Sequence, residues 1–570
     1  MHSENRQNKN SEKILLALLP FWEPQIPPLG IVSLRTFLEK HGYRVNILDA
    51  NILETFSQVH REYFALLEAC VPAENRGNFH NVGQDVLRNH LMAHLHREKE
   101  EENRYLELVT ILVSKTFFVT LAPDRVKALN ALLDQFYQVL ETYFSRVLLE
   151  EKPTLLGLSV VRGNLAASLF AFKLAKAVNP LIRTVMGGAV FAGELAKGSD
   201  NLAFFLEKTP YIDKILLGEG ELLFLKYLEG ELPPEQRVYT LEDIGGETLD
   251  ITSEGPPDFS GLNLEFYPNL GAAASRSCPF QCSFCTETVF WGSYRKKTPG
   301  QIREEMKHLT NRYRRQLFLM CDSLLNPIIT PLATELIESG ESVYFDGYLR
   351  ADKQACNGEN TLLWRRAGFY RARLGIESGS PHVLELMGKK ISPEEIKGSI
   401  TNLANAGIKT TTYWVVGHPG ETPDDFQQTL DLIEELRDDI YEAWCSPFNF
   451  YLTGQVNSSQ WQEKSVLLYP AWARELLIVQ TWTLECEPTR EEAYRRMNRF
   501  VRHCEKLGIP NPYTLIEFYH ADQRWKQRHK NAVPALVEFE NKDRLIDEHK
   551  YVKMQAAAQQ KLDKNMGFDF

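Results

Sequence analysis

Three of the nine cysteines, Cys278, Cys282 and Cys285, fall within eight residues, in the segment Ser275-Arg-Ser-Cys278-Pro-Phe-Gln-Cys282-Ser-Phe-Cys285. Thiolates are soft ligands. Three of them at Cys-x3-Cys-x2-Cys spacing on one tight loop suit three irons of a [4Fe–4S] cluster, with the fourth iron left open to a substrate or cofactor. A structural zinc site wants four closed ligands, and the nearest histidine, His308, lies more than twenty residues on. Zinc or inert thiols are the alternatives to the cluster. The other cysteines (Cys70, Cys321, Cys356, Cys445, Cys486 and Cys504) are scattered and form no disulfide framework.

The loop must be positioned by what surrounds it. Six strand candidates alternate with helices from Leu270 on: Leu270 to Ser275, Leu317 to Asp322, Val343 to Leu349, Arg371 to Ile376, Thr410 to Val416 and Ala443 to Phe448. This alternation predicts a β/α barrel or partial barrel. The cysteine loop follows the first strand. Cys321-Asp322-Ser323 ends the second, Arg350 the third, Gly375-Ile376-Glu377-Ser378-Gly379 the fourth and Gly417-His418-Pro419-Gly420-Glu421 the fifth. Polar residues at the carboxyl ends of barrel strands face the site. The aromatics Tyr348, Tyr413, Trp414, Trp444 and Phe448 read as core more readily than as barrel mouth.

Upstream, Ile14 to Leu19 is a continuous apolar run, as in a strand covered on both faces. A Pro-rich loop, a helix from Gly30 to His41 stopped by Gly42, and a strand at Val45 to Leu48 follow. Residues 51 to about 150 then carry apolar residues at helical spacing (Val126, Leu129, Leu133, Phe136, Leu140), which predicts a helical insertion. Strands resume at Thr154 to Val161, at Ile182 to Met186 before Gly187-Gly188, and at Ile212 to Leu217 before Gly218-Glu219-Gly220-Glu221. The whole predicts a parallel, doubly wound sheet over residues 13–221. Pro- and Gly-rich residues 222–261 read as a linker, 262–450 as the barrel and 451–570 as a helix-rich carboxyl-terminal region. His90 and His94 lie one helical turn apart, with His96 beyond. The charged neighbours HREKEEENR predict a solvated face there in place of a metal site.

The 570 residues suggest three or four domains. Hydrophobic residues at 44% and charged residues at 24% are ordinary globular values. A net charge of -11 weighs against a broad nucleic-acid surface. No apolar run reaches membrane-spanning length, and the polar first dozen residues lack a secretory signal. A reducing cytoplasm is the expected setting.

The cysteine loop and the strand-end motifs over residues 262–450 resemble the radical S-adenosylmethionine (SAM) superfamily. The resemblance implies that SAM chelates the open iron and is cleaved to methionine and a 5′-deoxyadenosyl radical. It places Phe284 near adenine and Asp322 and Ser323 near the SAM amino group. Arg350, Glu377 and Ser378 fall among the carboxylate and ribose contacts, and Gly417 and Gly420 lie close to adenosine. The upstream sheet resembles the cobalamin-binding domain of the cobalamin-dependent branch. Ser159, Gly187 and Gly188 would flank the dimethylbenzimidazole tail, with Gly30, Gly218 and Glu219 at neighbouring strand ends. Where many cobalamin domains carry a cobalt-ligating His, this chain has Pro27, so cobalt would lack a protein imidazole. The resemblance implies a doubly wound cobalamin domain, a partial (β/α)6 radical SAM barrel, and an external electron donor of flavodoxin or ferredoxin type. C-methylation of a small molecule or peptide leads. Methyl-free rearrangement or cyclisation, and a non-catalytic sensor, are the alternatives.

Overall fold

The structure, a computed structural model, describes residues 12–22, 26–98, 101–267, 269–511 and 515–529. The polar amino-terminal stretch, Gln25 and the tail from residue 530 lie outside the described residues. Two six-stranded parallel sheets organise the chain. The first contains β1 (Ile14–Leu18), β2 (Val45–Asp49), β3 (Leu155–Ser159), β4 (Arg183–Gly187), β5 (Lys214–Leu217) and β6 (Val238–Thr240), in the spatial order β2-β1-β3-β4-β5-β6. All five residues of β1 are buried, as a strand requires when helices cover both faces of its sheet. The order reverses at β1. The crevice outside the carboxyl ends of β1 and β3 is therefore the place where such a sheet takes a ligand.

β6 corrects the linker expected at 222–261. The helix Gly220–Leu228 buries Leu223, Phe224 and Leu225, and Tyr239 of β6 is fully buried, so the sheet runs past residue 221. A three-residue strand between Pro233-Pro234 and Gly245-Gly246 is too short for periodicity to show.

The insertion between β2 and β3 is helical, with main helices Glu54–Cys70, Phe79–Leu95, Glu102–Phe117 and Pro123–Glu151. Phe56, Tyr63, Tyr105, Phe136 and Phe144 are fully buried and join the core that runs on into both sheets. The solvated face expected at His90, His94 and His96 is corrected. The helix ends at Leu95, and the charged run begins where it stops. His90 and His94 are buried, and His96 is partly so. Tyr63 Oη, Tyr105 Oη and Asn130 Oδ1 surround the His90 ring at 2.9, 3.0 and 2.8 Å. His94 meets Tyr105 Oη at 2.8 Å and Asp134 at 3.2 Å.

The second sheet is built from β7 (Leu270–Ala272), β10 (Leu317–Met320), β11 (Tyr344–Leu349), β12 (Phe369–Glu377), β13 (Lys409–Val416) and β14 (Glu442–Pro447). Between β7 and β10 in sequence, the short antiparallel pair β8 (Ser275–Arg276) and β9 (Arg295–Lys296) flanks the cysteine loop. The spatial order β14-β13-β12-β11-β10-β7 is all parallel and matches the six strands read from the sequence. Six strands leave the barrel unclosed. The insertion caps its β14 edge: the Asn78 amide donates to the Cys445 carbonyl, and the Asn81 amide donates to Ser446 Oγ at 3.0 Å.

The carboxyl-terminal region adds an antiparallel pair, β15 (Ser465–Leu467) and β16 (Trp482–Leu484), to the expected helices, of which Arg490–Lys506 packs on β14 and on β13. There Gly417 has φ 77°, and a Cβ on it would lie 2.2 Å from Ala493 Cβ. Among the described residues, no helix is long and apolar enough to cross a membrane.

The histidine network carries a pH dependence. Burial lowers His90 to about 3, reinforced by the neighbouring His94 and by Arg97. Burial lowers His94 to about 4, with Arg97 lowering and Asp134 opposing. Both rings are neutral when folded and take up a proton near 6.5 when unfolded. Stability from these groups is therefore complete above that pH. It falls by about tenfold in the folded-to-unfolded ratio, per pH unit and per imidazole, as the pH drops from 6.5 toward 4. Urea titrations across this window should show that slope, and His90→Gln should make it shallower. An equal slope in the variant would show that His90 does not contribute.

Candidate active site

The cysteine loop leaves β8 and runs into the helix Glu287–Trp291. Its backbone is held from two sides. Ser283 N donates to the Met387 carbonyl at 2.9 Å. From the other side, Asn457 N donates to the Ser283 carbonyl at 3.0 Å and Val456 N to the Cys285 carbonyl at 3.1 Å. Gln455 Nε2 donates to the Phe284 carbonyl at 2.9 Å, and Gln455 Oε1 accepts from Tyr451 N at 3.0 Å. Gln455 is buried. A lone glutamine after the last barrel strand carries no sequence signal for this role.

The three cysteines are free thiols. Burial lifts Cys278, and lifts Cys285 to about 11, to which the sulfurs of Cys282 and Cys278 add. The three therefore share one electrostatic site. Among the described residues, no three His, Cys, Asp or Glu side chains gather to hold a single metal ion.

Arg350 and Phe284 come to this loop. The Arg350 guanidinium lies 4.1 Å over the ring of Phe280, between the first two cysteines. Its backbone is fixed by the Asn326 amide at 2.8 and 3.0 Å, and its buried Nη2 has no partner. This is a cation with a spare donor, suited to a carboxylate. Glu377 has φ 68° at the end of β12, and its carboxylate takes an ion pair from Lys389 at 2.7 Å. The Lys389 ammonium in turn lies 5.9 Å over Phe284. A non-glycine residue there stores strain of about 1–3 kcal/mol.

Other expected contacts are occupied by protein. Asp322 is buried, accepts from Ala274 N at 3.1 Å and from Ser275 Oγ, and ties β10 to the start of the cysteine segment. Burial raises its carboxyl to about 6. Ser323 donates to Glu287, just past the loop. Ser378 is buried against Thr429 Oγ1 at 3.2 Å and faces a helix in place of a ligand. The open backbone of Gly417 is taken by Ala493, and Gly420 is exposed with φ 89°. Of the five aromatics, Trp414 is core. Tyr348 is 39% exposed and lies 5.9 Å from Tyr413, which stacks on Trp444 at 6.3 Å, so part of this row faces accessible space.

On the first sheet, a Cβ on exposed Gly30 would stand 3.8 Å from Ser159 Oγ. The two residues approach each other at the β1/β3 switch point, where a Cβ would make ordinary contact. Pro27 is buried just before the helix Leu29–Lys40. Gly188 has φ 117°, and a Cβ on it would lie 2.4 Å from the Val160 carbonyl, so the close approach there is made by the protein's own backbone. A Cβ on Gly187 would make only ordinary contact with Leu216. Gly218 has φ 120° and turns the chain into Glu219. Glu219 is committed elsewhere: it is 3% exposed and pairs with Arg276 at 3.3 Å and with Arg295. Burial works to raise its carboxyl, and the Arg295 hydrogen bond with the two guanidinium charges outweighs that and holds it low. Arg276 also pairs with Glu221. The end of β5 is thereby fastened to the β8–β9 hairpin that carries the cysteines.

A narrow cleft lies between the turns after β3 and β4 and the ends of β13 and β14. Residues 449–457 cross beside it from the cysteine loop to the first sheet. A Cβ on Gly454 would lie 2.4 Å from the Ala192 carbonyl, and one on Gly193 would lie 3.2 Å from the Tyr451 ring.

Removing one partner of a buried ion pair leaves uncompensated charge. Glu219→Gln should therefore lower the stability of the cofactor-free protein by about 3 kcal/mol, read from its denaturation midpoint. A residue that serves only to bind a cofactor would leave that midpoint unmoved.

Residues 274–433 match the family model of the Radical SAM superfamily. An anaerobic magnesium-protoporphyrin IX monomethyl ester cyclase of Rubrivivax gelatinosus is 25% identical over 331 residues, 52% of this chain and 57% of that protein. The cytidylyl-2-hydroxyethylphosphonate methyltransferase of Streptomyces wedmorensis is 25% identical over 374 residues, 53% of this chain and 66% of that one. The chain spans little more than half the length of the first curated relatives it matches. Among solved structures, the radical SAM methyltransferase TsrM from Kitasatospora setae, with tryptophan and a SAM analogue bound, superposes with a TM-score of 0.58 at 14% identity. That match covers 96% of this chain and 100% of the other. The cobalamin-dependent radical enzyme OxsB, with aqua-cobalamin and SAM bound, gives 0.50 at 16% identity over 86% and 61%. At these identities the likeness establishes the fold.

Proposed function

We propose that the chain, whose residues 274–433 match the Radical SAM superfamily model and whose fold is that of TsrM and OxsB, is a cobalamin-dependent radical SAM enzyme whose leading reaction is C-methylation of an unactivated carbon. The observation that carries this reading is the seating of Cys278, Cys282 and Cys285 on a loop fastened both to the first sheet and to the barrel. With a [4Fe–4S] cluster, SAM and cobalamin bound, such a site supplies reductive SAM cleavage, hydrogen abstraction from substrate and a transferable methyl group.

The chain's own residues hold and orient. Three thiolates take three irons. Arg350, stacked on Phe280, offers its spare Nη2 to the SAM carboxylate. Phe284, with Lys389 over it and Glu377 behind, forms a wall for adenosine. Gly30 and Ser159, close together at the switch point, would flank the cobalamin tail, and Pro27 would offer cobalt no imidazole. Electrons come from an external donor of flavodoxin or ferredoxin type, and the substrate is a small molecule or peptide. A second reading, oxidative cyclisation without methyl transfer, has the cyclase relatives behind it.

Anaerobic reconstitution with iron, sulfide, hydroxocobalamin and SAM tests both. The expected outcome is a brown protein that releases 5′-deoxyadenosine and a product one methylene heavier than substrate. Loss of hydrogen without added methyl establishes the second reading. Alanine at any of the three cysteines should abolish SAM cleavage, and retained cleavage would overturn the assignment. Bound cobalt(II) should show no electron-spin splitting from a protein histidine nitrogen.

A further inference from the structure

A buried carboxamide without a partner lies in the cleft between the two sheets. Gln480, two residues before β16, is 4% exposed and lines that cleft. Its main chain is pinned on both sides: Gln480 N donates to Asn201 Oδ1 at 2.9 Å, and Asn201 Nδ2 donates to the Gln480 carbonyl at 2.9 Å. Asn201 is itself buried in the first turn of the helix Asp200–Lys208, and it also donates to the Glu194 carbonyl at 3.1 Å. The side chain differs from this well-bonded backbone. Neither Oε1 nor Nε2 of Gln480 has a hydrogen-bond partner. A primary amide offers two donors and an acceptor with two lone pairs, and proteins rarely bury all of them unmade.

Beside the cleft two arginines face two carboxylates, and Arg490 is a further cation held by neutral acceptors. Arg162 meets Glu194 at 2.7 Å and Asp85 at 3.7 Å. Arg88 meets the same carboxylates at 3.0 and 3.4 Å. Arg490 donates to Tyr494 Oη at 2.8 Å and to the Lys115 carbonyl. Much of the remaining wall is aromatic, with Phe448, Tyr451 and Trp482. Polar side chains, among them Ser199, Asn201, Asn449 and Thr481, stand beside these rings, so the space suits a ligand with one apolar face and a paired donor–acceptor edge.

We propose that the cleft binds an amide-bearing group and that Gln480 recognises it through two hydrogen bonds, Nε2–H to the ligand's carbonyl and Oε1 from its N–H. Two sources share this chemistry. One is an amide side chain of the corrin ring, which rests on the cobalamin reading above; the other is an amide of the substrate.

The test uses the full chain with its cluster reconstituted, in wild-type, Gln480→Leu and Gln480→Glu forms. The first variant removes both polar atoms. The second keeps the size and an acceptor and loses the donor, and it serves if Gln480→Leu does not fold. The probes are hydroxocobalamin, followed by absorbance titration, and the fragments nicotinamide and N-methylacetamide, followed by saturation-transfer NMR. Loss of about tenfold or more in hydroxocobalamin affinity, with cluster content unchanged, assigns Gln480 to a corrin amide. Unchanged hydroxocobalamin affinity with fragment binding lost assigns it to a substrate amide. Variants that bind all three probes as wild type does overturn the proposal, as does a wild-type protein that binds none of them. Failure of wild-type protein to bind hydroxocobalamin alone counts against the cobalamin reading, and the fragments still decide Gln480.

Discussion

A loop that carries three thiols in eight residues cannot fix its own shape. It has little apolar surface to bury, and its peptide groups need partners once water is excluded. Here those partners come from far along the chain. Met387 supplies a carbonyl, and Gln455, Val456 and Asn457 supply donors. The loop therefore takes its shape only when the fourth barrel strand's following turn and the segment after the sixth have both arrived. Gln455 is the clearest case: one side chain satisfies Phe284, Asn449 and Tyr451 together, and no nearer residue could.

A second set of bonds fixes the loop relative to the first sheet. Glu219 and Glu221 stand at the carboxyl end of β5, and Arg276 and Arg295 on the hairpin across from them. Buried ion pairs of this kind contribute little net stability, because desolvation offsets the attraction, but a wrong alignment would strand a charge. Their effect is on geometry. The two carboxyl-end faces, each the ligand side of its sheet, are held toward one another.

Much of this was legible before any coordinates. The alternation of strand-like and helical segments marked eleven of the twelve parallel strands, β6 being the exception. The cysteine spacing marked the loop. What could not be read has physical reasons. β6 is three residues long. The fate of Asp322, Ser378 and Glu219 depends on which partners lie within reach, and strand-end position alone does not say whether a polar residue faces a ligand or a neighbouring helix. The histidines misled because charge on the residues after Leu95 was extended backward onto a helix that had already ended. Lys389 and Phe280 act through stacking, which leaves no spacing signature.

The incomplete barrel has one consequence beyond ligand access. An open sheet of six strands exposes a row of peptide groups at each margin, and such a row is a template on which a foreign chain can add. At β14 that template is blunted. The insertion's Asn78 takes the Cys445 carbonyl, and the Pro510 carbonyl takes the Ala443 amide. The insertion and the carboxyl-terminal helix Arg490–Lys506 with the segment after it thus share the covering of this margin, which leaves fewer free peptide groups there for a foreign strand to pair with.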